Sequence, residues 1–169
     1  FPMISSLDEF SEAKEIVLQC ANDLKKEKVP HKENIQIGIM IELPSVLEII
    51  DDLAEEADFF CIGTNDFIQY MLAVDRTNEK VADFYLAYHP SVLRALKKIV
   101  DAAYKQKKDV SICGDMAHEE KYLPYFLGIG VRKISIETRY IPKIRAAIAT
   151  IDLNQAKKET KSLLQENRI

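Results

Sequence analysis

Tryptophan is absent from this 169-residue chain, glycine and proline number only 5 and 6, and cysteine only 3. There is no low-complexity tract and no tandem repeat, which excludes a fibrous or linker-like polymer. Cys20, Cys61 and Cys113 form an odd set without Cys-x-x-Cys spacing, so neither a disulfide framework nor a zinc site is expected. A protein of the reducing cytoplasm fits that pattern. No apolar run approaches the ~18 residues of a membrane span, and Phe1-Pro2-Met3-Ile4-Ser5-Ser6 lacks a charged lead-in and a signal-peptide core. Neither membrane insertion nor secretion is predicted. Neither sign of charge dominates: 23 Lys and Arg against 27 Asp and Glu give a net charge of -4 and a pI near 5.5. Nucleic acid is therefore not expected as a partner, and the ligand should be small, with a local basic pocket still open.

What is present is 47% hydrophobic and 30% charged residues, enough for one domain, 1–169, with a sizeable core. Ser6-Leu7-Asp8-Glu9 matches a capping box, and Phe10, Ala13, Ile16, Val17, Cys20 and Leu24 follow at helical spacing to about Lys28. After Pro30, the β-branched run Ile35 to Ile41 predicts a strand buried on both faces and ending at Glu42. Pro44 suits a first helical turn, and Val46, Leu47, Ile50, Leu53 and Ala54 form one apolar face before a strand from Asp58 to Gly63. Helices at Asn65–Ala73 and Pro90–Lys107, a strand at Asp109–Cys113, a helix at His118–Leu127 and a strand at Lys133–Ile136 continue the alternation. Pro142 opens a further helix, and a charged one runs from Leu153 to Gln165. Short strands alternating with helices imply an α/β fold of parallel βα units. Pattern alone leaves two arrangements open, a small doubly wound sheet or part of a βα barrel. The apolar Phe1-Pro2-Met3-Ile4 opening reads as the tail of a strand, so a fragment is expected.

The polar ends of three consecutive strands are Glu42, Asn65-Asp66 and Cys113-Gly114-Asp115, the positions where ligands bind in parallel βα architectures. Strands lie about 4.8 Å apart, so carboxylates from two strand ends can converge on one hard cation, for which magnesium is the natural candidate. Each residue alone has a plainer reading. Asp66 could be a helix cap, and a cysteine in an apolar strand is usually inert core, the reading given to Cys61 and Cys20. His31, His89 and His118 are expected to be solvated or capping.

The run Gly63-Thr64-Asn65-Asp66, with Gln69-Tyr70 and Leu72-Ala73-Val74-Asp75-Arg76, resembles the signature of the phosphoenolpyruvate-utilising enzymes, in particular the phosphoenolpyruvate-protein phosphotransferases. The resemblance implies the carboxyl-terminal half of an eight-stranded βα (TIM) barrel, covering nearly the whole chain. It implies that Glu42 and Asp66 bind Mg2+, that Asn65 and Arg76 hold the phosphate, and that Cys113 donates a proton to enolpyruvate. The implied reaction passes a phosphoryl group from phosphoenolpyruvate to an enzyme histidine and on to a histidine-phosphorylatable carrier protein of sugar transport, releasing pyruvate. That histidine and further arginines belong upstream, and a homodimer is implied. Two departures stand out: Asp115 replaces the family's Glu after Cys-Gly, and Ser135-Ile136-Glu137-Thr138-Arg139-Tyr140 replaces a small neutral loop. Glu137 and Arg139 could pair with each other. The alternatives are a pyruvate phosphate dikinase or phosphoenolpyruvate synthase, a non-catalytic dimerising half barrel, and a carbon-carbon lyase acting on pyruvate-like acids. Tyr70 and Asn78 favour the phosphotransferase over the dikinase and synthase, and Cys113 and Arg76 argue against the lyase.

Overall fold

Short apolar strands separated by amphipathic helices fold here into a single sheet whose one face is covered by helices. The structure, a computed structural model, describes residues 1–168. Helix α1 (Leu7–Lys26) is followed by β1 (Ile39–Ile41), α2 (Ile50–Glu56), β2 (Phe59–Gly63) and α3 (Thr64–Leu72). Then come α4 (Pro90–Lys105), β3 (Asp109–Cys113), α5 (Leu123–Ile129), β4 (Lys133–Ile134), α6 (Ile141–Ala149) and α7 (Leu153–Leu163). All strands are parallel, in the order β1-β2-β3-β4. A doubly wound sheet reverses its strand order at a switch point, whereas a barrel adds each strand beside the last. The unreversed order makes this chain an arc of a βα barrel, as expected.

Phe1 extends the arc on its first edge. Its amino group donates to the Gly38 carbonyl at 2.7 Å, and its carbonyl accepts from Met40 N–H at 2.8 Å, the slanted bonding of a parallel neighbour. The strand tail read from Phe1-Pro2-Met3-Ile4 is thus one residue of ladder beside β1.

Register separates the sheet's two faces. Ile39 pairs with Phe60 and Phe60 with Val110, while Ile41 pairs with Ile62 and Ile62 with Ile112. These side chains are fully buried against Leu53, Phe67, Leu96, Ile99 and Phe126 from the helices. The intervening row is Met40, Cys61, Ser111 and Lys133, on the concave side that the rest of a barrel would close. Its first three members are only half-buried. Helix α1 shows the same incompleteness. Phe10 is buried and Val17 packs against the core, but Ile16 is 66% exposed and Cys20 is also exposed.

Several boundaries differ from the sequence reading. The strand expected from Ile35 starts at Ile39: Ile35 is half exposed, and Gly38 lies so close to Phe59 that a Cβ there would sit 2.6 Å from its ring. The strand expected at Lys133–Ile136 is two residues long, extended only by Ser135 N–H donating to Ile112 O at 2.8 Å. The helix expected from His118 begins at Leu123, preceded by 3-10 turns at Asp115–His118 and Glu120–Tyr122. Pro124 explains the shift, since proline is tolerated only in a first helical turn. The helix opened by Pro44 likewise divides into a 3-10 segment, Pro44–Glu48, and α2.

The carboxyl-terminal helix folds back over α5. Gly128 allows this, because any side chain there would run into Thr160 and come within 2.7 Å of the Ala156 carbonyl. Arg94 of α4 then fixes the following segment, its guanidinium donating to the Leu164 and Glu166 carbonyls at 3.1 and 2.9 Å.

Candidate active site

Glu42 is the first polar residue past β1, and it is 7% exposed. Its Oε2 accepts from the Met3 N–H at 3.0 Å, where Met3 adopts a left-handed φ of 57°. The side chain lies across the end of β2: a Cβ at Gly63 would stand 2.8 Å from Glu42 Cγ and 2.9 Å from Oε1. Gly63 therefore creates the space in which the carboxylate turns from one strand end toward the next.

At that next strand end, helix α3 starts directly after Gly63. Thr64 is fully buried, and its hydroxyl donates to the Cys113 carbonyl at 2.8 Å. Asn65 Oδ1 accepts from Asp115 N–H at 2.7 Å. These two bonds tie the ends of β2 and β3 together. They require Gly114, which takes φ 91°; a Cβ there would collide with Thr64 Oγ1 and lie 2.7 Å from Asn65 Oδ1. The Tyr85 hydroxyl closes the outer side by donating to Asn65 O at 3.2 Å, and burial pushes its pKa up to about 12. Asp66 sits in the first turn of α3, half-buried, and the cap position is taken by Gly63, so Asp66 is not the helix cap.

Helix α3 ends at Leu72; Ala73, which follows it, takes a left-handed φ of 53°, and the chain turns to present Arg76. Arg76 Nη1 pairs with Asp115 Oδ2 at 3.0 Å, so the substituted acid holds the guanidinium at the mouth. Their side chains are 35% and 59% exposed, and such a pair contributes only ~0–1 kcal/mol. An anion can displace it at small cost.

Cys113 ends β3 on the concave face, with its Sγ 3.6 Å from that of Cys61. Cys61 is therefore not the inert core residue that its apolar run suggested: Phe60 and Ile62 take the helix-packed side, which turns Cys61 the other way. Cys20 is likewise no core residue, since it is exposed on α1. The Cys61 neighbour, followed by burial, pushes the Cys113 thiol up, while the hydrogen bond shared with Cys113 pulls Cys61 down. Cys113 thus keeps its proton at neutral pH, the state a proton donor needs.

The histidines lie apart from this cluster. His89 caps α4 by accepting from Ser91 N–H at 3.2 Å, and His118 stacks on Tyr140 with ring centroids 4.3 Å apart. Glu137 and Arg139 do pair, at 2.9 Å. Thr64, Gly114 and Met3 were not singled out as site residues in the sequence. The signal available was the glycine following Cys113, a residue type suited to a tight crossing beside a neighbouring strand.

Glu42, Asn65-Asp66, Arg76 and Cys113-Asp115 thus gather around the carboxyl ends of three adjacent parallel strands, at the mouth of the βα arc. Comparison with known proteins gives this arc its family. Residues 1–153 match the family model described as PEP-utilising enzyme, PEP-binding domain, and the chain belongs to that family. It is 41% identical over 155 residues to a phosphoenolpyruvate-protein phosphotransferase of Staphylococcus aureus, covering 92% of this chain and 27% of the relative. It is 45% identical over 148 residues to that of Priestia megaterium, and 39% over 167 residues to that of Listeria monocytogenes. The chain spans little more than a quarter of the length of these relatives, 26–29%. In fold it resembles a citrate lyase from Burkholderia xenovorans, with a TM-score of 0.62 at 22% identity, over 97% of this chain and 52% of that one.

Proposed function

We propose that this chain is part of the catalytic barrel of a phosphoenolpyruvate-protein phosphotransferase, with phosphoenolpyruvate bound at the mouth described above. The observation that carries the reading is the convergence of Glu42, Asn65, Asp66, Arg76 and Cys113 on adjacent strand ends, in a chain matching that domain over residues 1–153. The phosphate is assigned to Arg76 and Asn65, beside the positive end of α3. In the transfer, the bond between phosphorus and the enol oxygen breaks, and phosphorus bonds to a histidine nitrogen outside this chain. Cys113 gives its proton to the methylene carbon, making pyruvate. The phosphoryl group then goes to a histidine-phosphorylatable carrier protein. A cytoplasmic setting and a role in sugar uptake are parts of the same reading.

Glu42 and Asp66 are the residues assigned to Mg2+. Two oxygen-donor carboxylates at neighbouring strand ends suit an ion that takes one or two carboxylates and completes its shell with water and substrate. The ion would neutralise charge on the transferring phosphoryl group.

Asp66→Asn in the full-length protein tests the assignment. Pyruvate formation should fall by at least about a hundredfold while the melting temperature stays within about 2 °C, because Asp66 is only half-buried and Asn keeps its shape. Turnover near the unsubstituted rate at saturating phosphoenolpyruvate and Mg2+ would remove Asp66 from the site.

A further inference from the structure

The Cys61 thiol has no part in the proposed reaction, yet it faces Cys113 across the concave side of the sheet. In register Cys61 lies opposite Ser111 and Cys113 opposite Gly63, so the two thiols are diagonal neighbours on adjacent strands. Their Sγ atoms are 3.6 Å apart, and both residues are half-buried rather than sealed. Cys61 also borders an open apolar cavity of about 380 Å³, walled by Phe1, Met40 and Phe59, which gives small solutes a route to its thiol. A disulfide needs the sulfurs to approach to about 2.05 Å, a closure of about 1.5 Å, and Cα atoms within about 7 Å, so a diagonal pair one strand and two residues apart also requires the backbone to shift. Cys113 is the last residue of β3, where such a shift disturbs the ladder least.

We propose that Cys61 and Cys113 are an oxidisable dithiol, which a peroxide-class oxidant closes to a disulfide and a dithiol reductant reopens. The Cys61 thiolate attacks the O–O bond, giving Cys61 sulfenic acid and an alcohol or water. The Cys113 sulfur then displaces the sulfenic oxygen, which leaves as water while the S–S bond forms. The two sulfurs lose two electrons, and the peroxide gains them. Cys61 takes the attacking role because it lines the cavity through which a small solute arrives, and Cys113 does not. Closure removes the thiol assigned above to protonating enolpyruvate. That consequence rests on the proposed function, whereas the disulfide does not.

The test uses the whole 169-residue chain carrying Cys20→Ser, which removes the exposed third thiol. After treatment with hydrogen peroxide, alkylation and peptide mapping should show Cys61 and Cys113 lost together as one intramolecularly linked peptide, restored by dithiothreitol. With Cys61→Ser added, loss of the Cys113 thiol should slow about tenfold or more and end in sulfinic acid. Two outcomes would overturn the proposal: both thiols still alkylated after oxidation, or a Cys113 thiol lost equally fast with and without Cys61. The linked peptide is read without an activity assay, so its absence counts against the dithiol alone. The role of Cys113 in protonation is decided separately, by label incorporation in the full-length protein.

Discussion

Cys113 shows how a single side chain acquires a role from its neighbours. A cysteine at the end of an apolar strand is ordinarily packing. Here it lies on the open concave face, keeps its proton because of Cys61 and burial, and has its carbonyl held by Thr64. As the proposed donor it acts after phosphoryl transfer, so its loss should separate two steps. In the full-length protein, Cys113→Ala should leave phosphoenolpyruvate binding within about threefold and slow pyruvate protonation by about a hundredfold or more. Incorporation of deuterium into the methyl group, followed in deuterated water, reports the protonation directly. Methyl labelling at the unsubstituted rate would return Cys113 to packing. Asp115 illustrates the opposite case, a departure whose consequence was not visible in one dimension. Its side chain reaches Arg76, 39 residues earlier in the chain, and no local pattern encodes that meeting.

Elements with strong periodicity were the most legible. Helix α4 runs from Pro90 to Lys105 with buried Val92, Leu96, Ile99 and Val100 on one face, close to the range read from the sequence. Capping chemistry was also readable: Ser6 accepts from Glu9 N–H at 3.2 Å, although Glu9 reaches back to Ser5 rather than Ser6. The start of β1 was hidden because Ile35, Ile37 and Ile39 have the same strand propensity, and only the contact of Gly38 with Phe59 distinguishes them. The strand ends that carry the candidate site were legible, since an apolar run stopping at a polar residue marks them directly. The docking of α7 was not, because it depends on small residues facing each other at Gly128 and Ala156. That junction also carries a testable weakness. Thr160 Oγ1 is buried without a hydrogen-bond partner among the described residues, and an unsatisfied buried hydroxyl costs ~1–3 kcal/mol. Thr160→Val keeps the shape and removes the polar atom, so it should raise the melting temperature by about 2 °C or more. Gly128→Val should lower it by several degrees through overpacking of about 1–3 kcal/mol or more. Calorimetry on both variants checks the pair, and a destabilised Thr160→Val chain would mean that the hydroxyl has a partner.

At the scale of the whole molecule, one face of the sheet is finished and the other is open. The finished face contains Tyr125, whose hydroxyl donates to Leu93 O at 2.5 Å and whose pKa burial raises; burial likewise takes Tyr85 up to about 12. A tyrosine whose folded pKa is raised contributes stability that is full below the unfolded value near 10 and is lost as pH rises through the folded value. Unfolding free energy should therefore fall between about pH 10 and pH 12, and Tyr85→Phe should flatten that fall. Urea titrations across the range measure it, and an unchanged slope in the variant would exclude Tyr85 as a source. The open face calls for a different experiment. It leaves Met40, Cys61 and Ser111 half-buried where a barrel would enclose them, and α1 leaves Ile16 exposed. Apolar area of this kind, together with an incomplete sheet edge, favours pairing with a second copy. Sedimentation should show a concentration-dependent dimer of the isolated chain, weakened by Met40→Lys, which puts a charge on the concave row. The same chain holds only part of the proposed phosphate clamp, Asn65 and Arg76. Phosphoenolpyruvate should consequently bind weakly, at about millimolar affinity, and only with Mg2+ present, because the carboxylates of Glu42 and Asp66 otherwise repel the anion. A monomer at every concentration would refute the pairing, and tight metal-free binding by calorimetry would refute the assignment of those carboxylates.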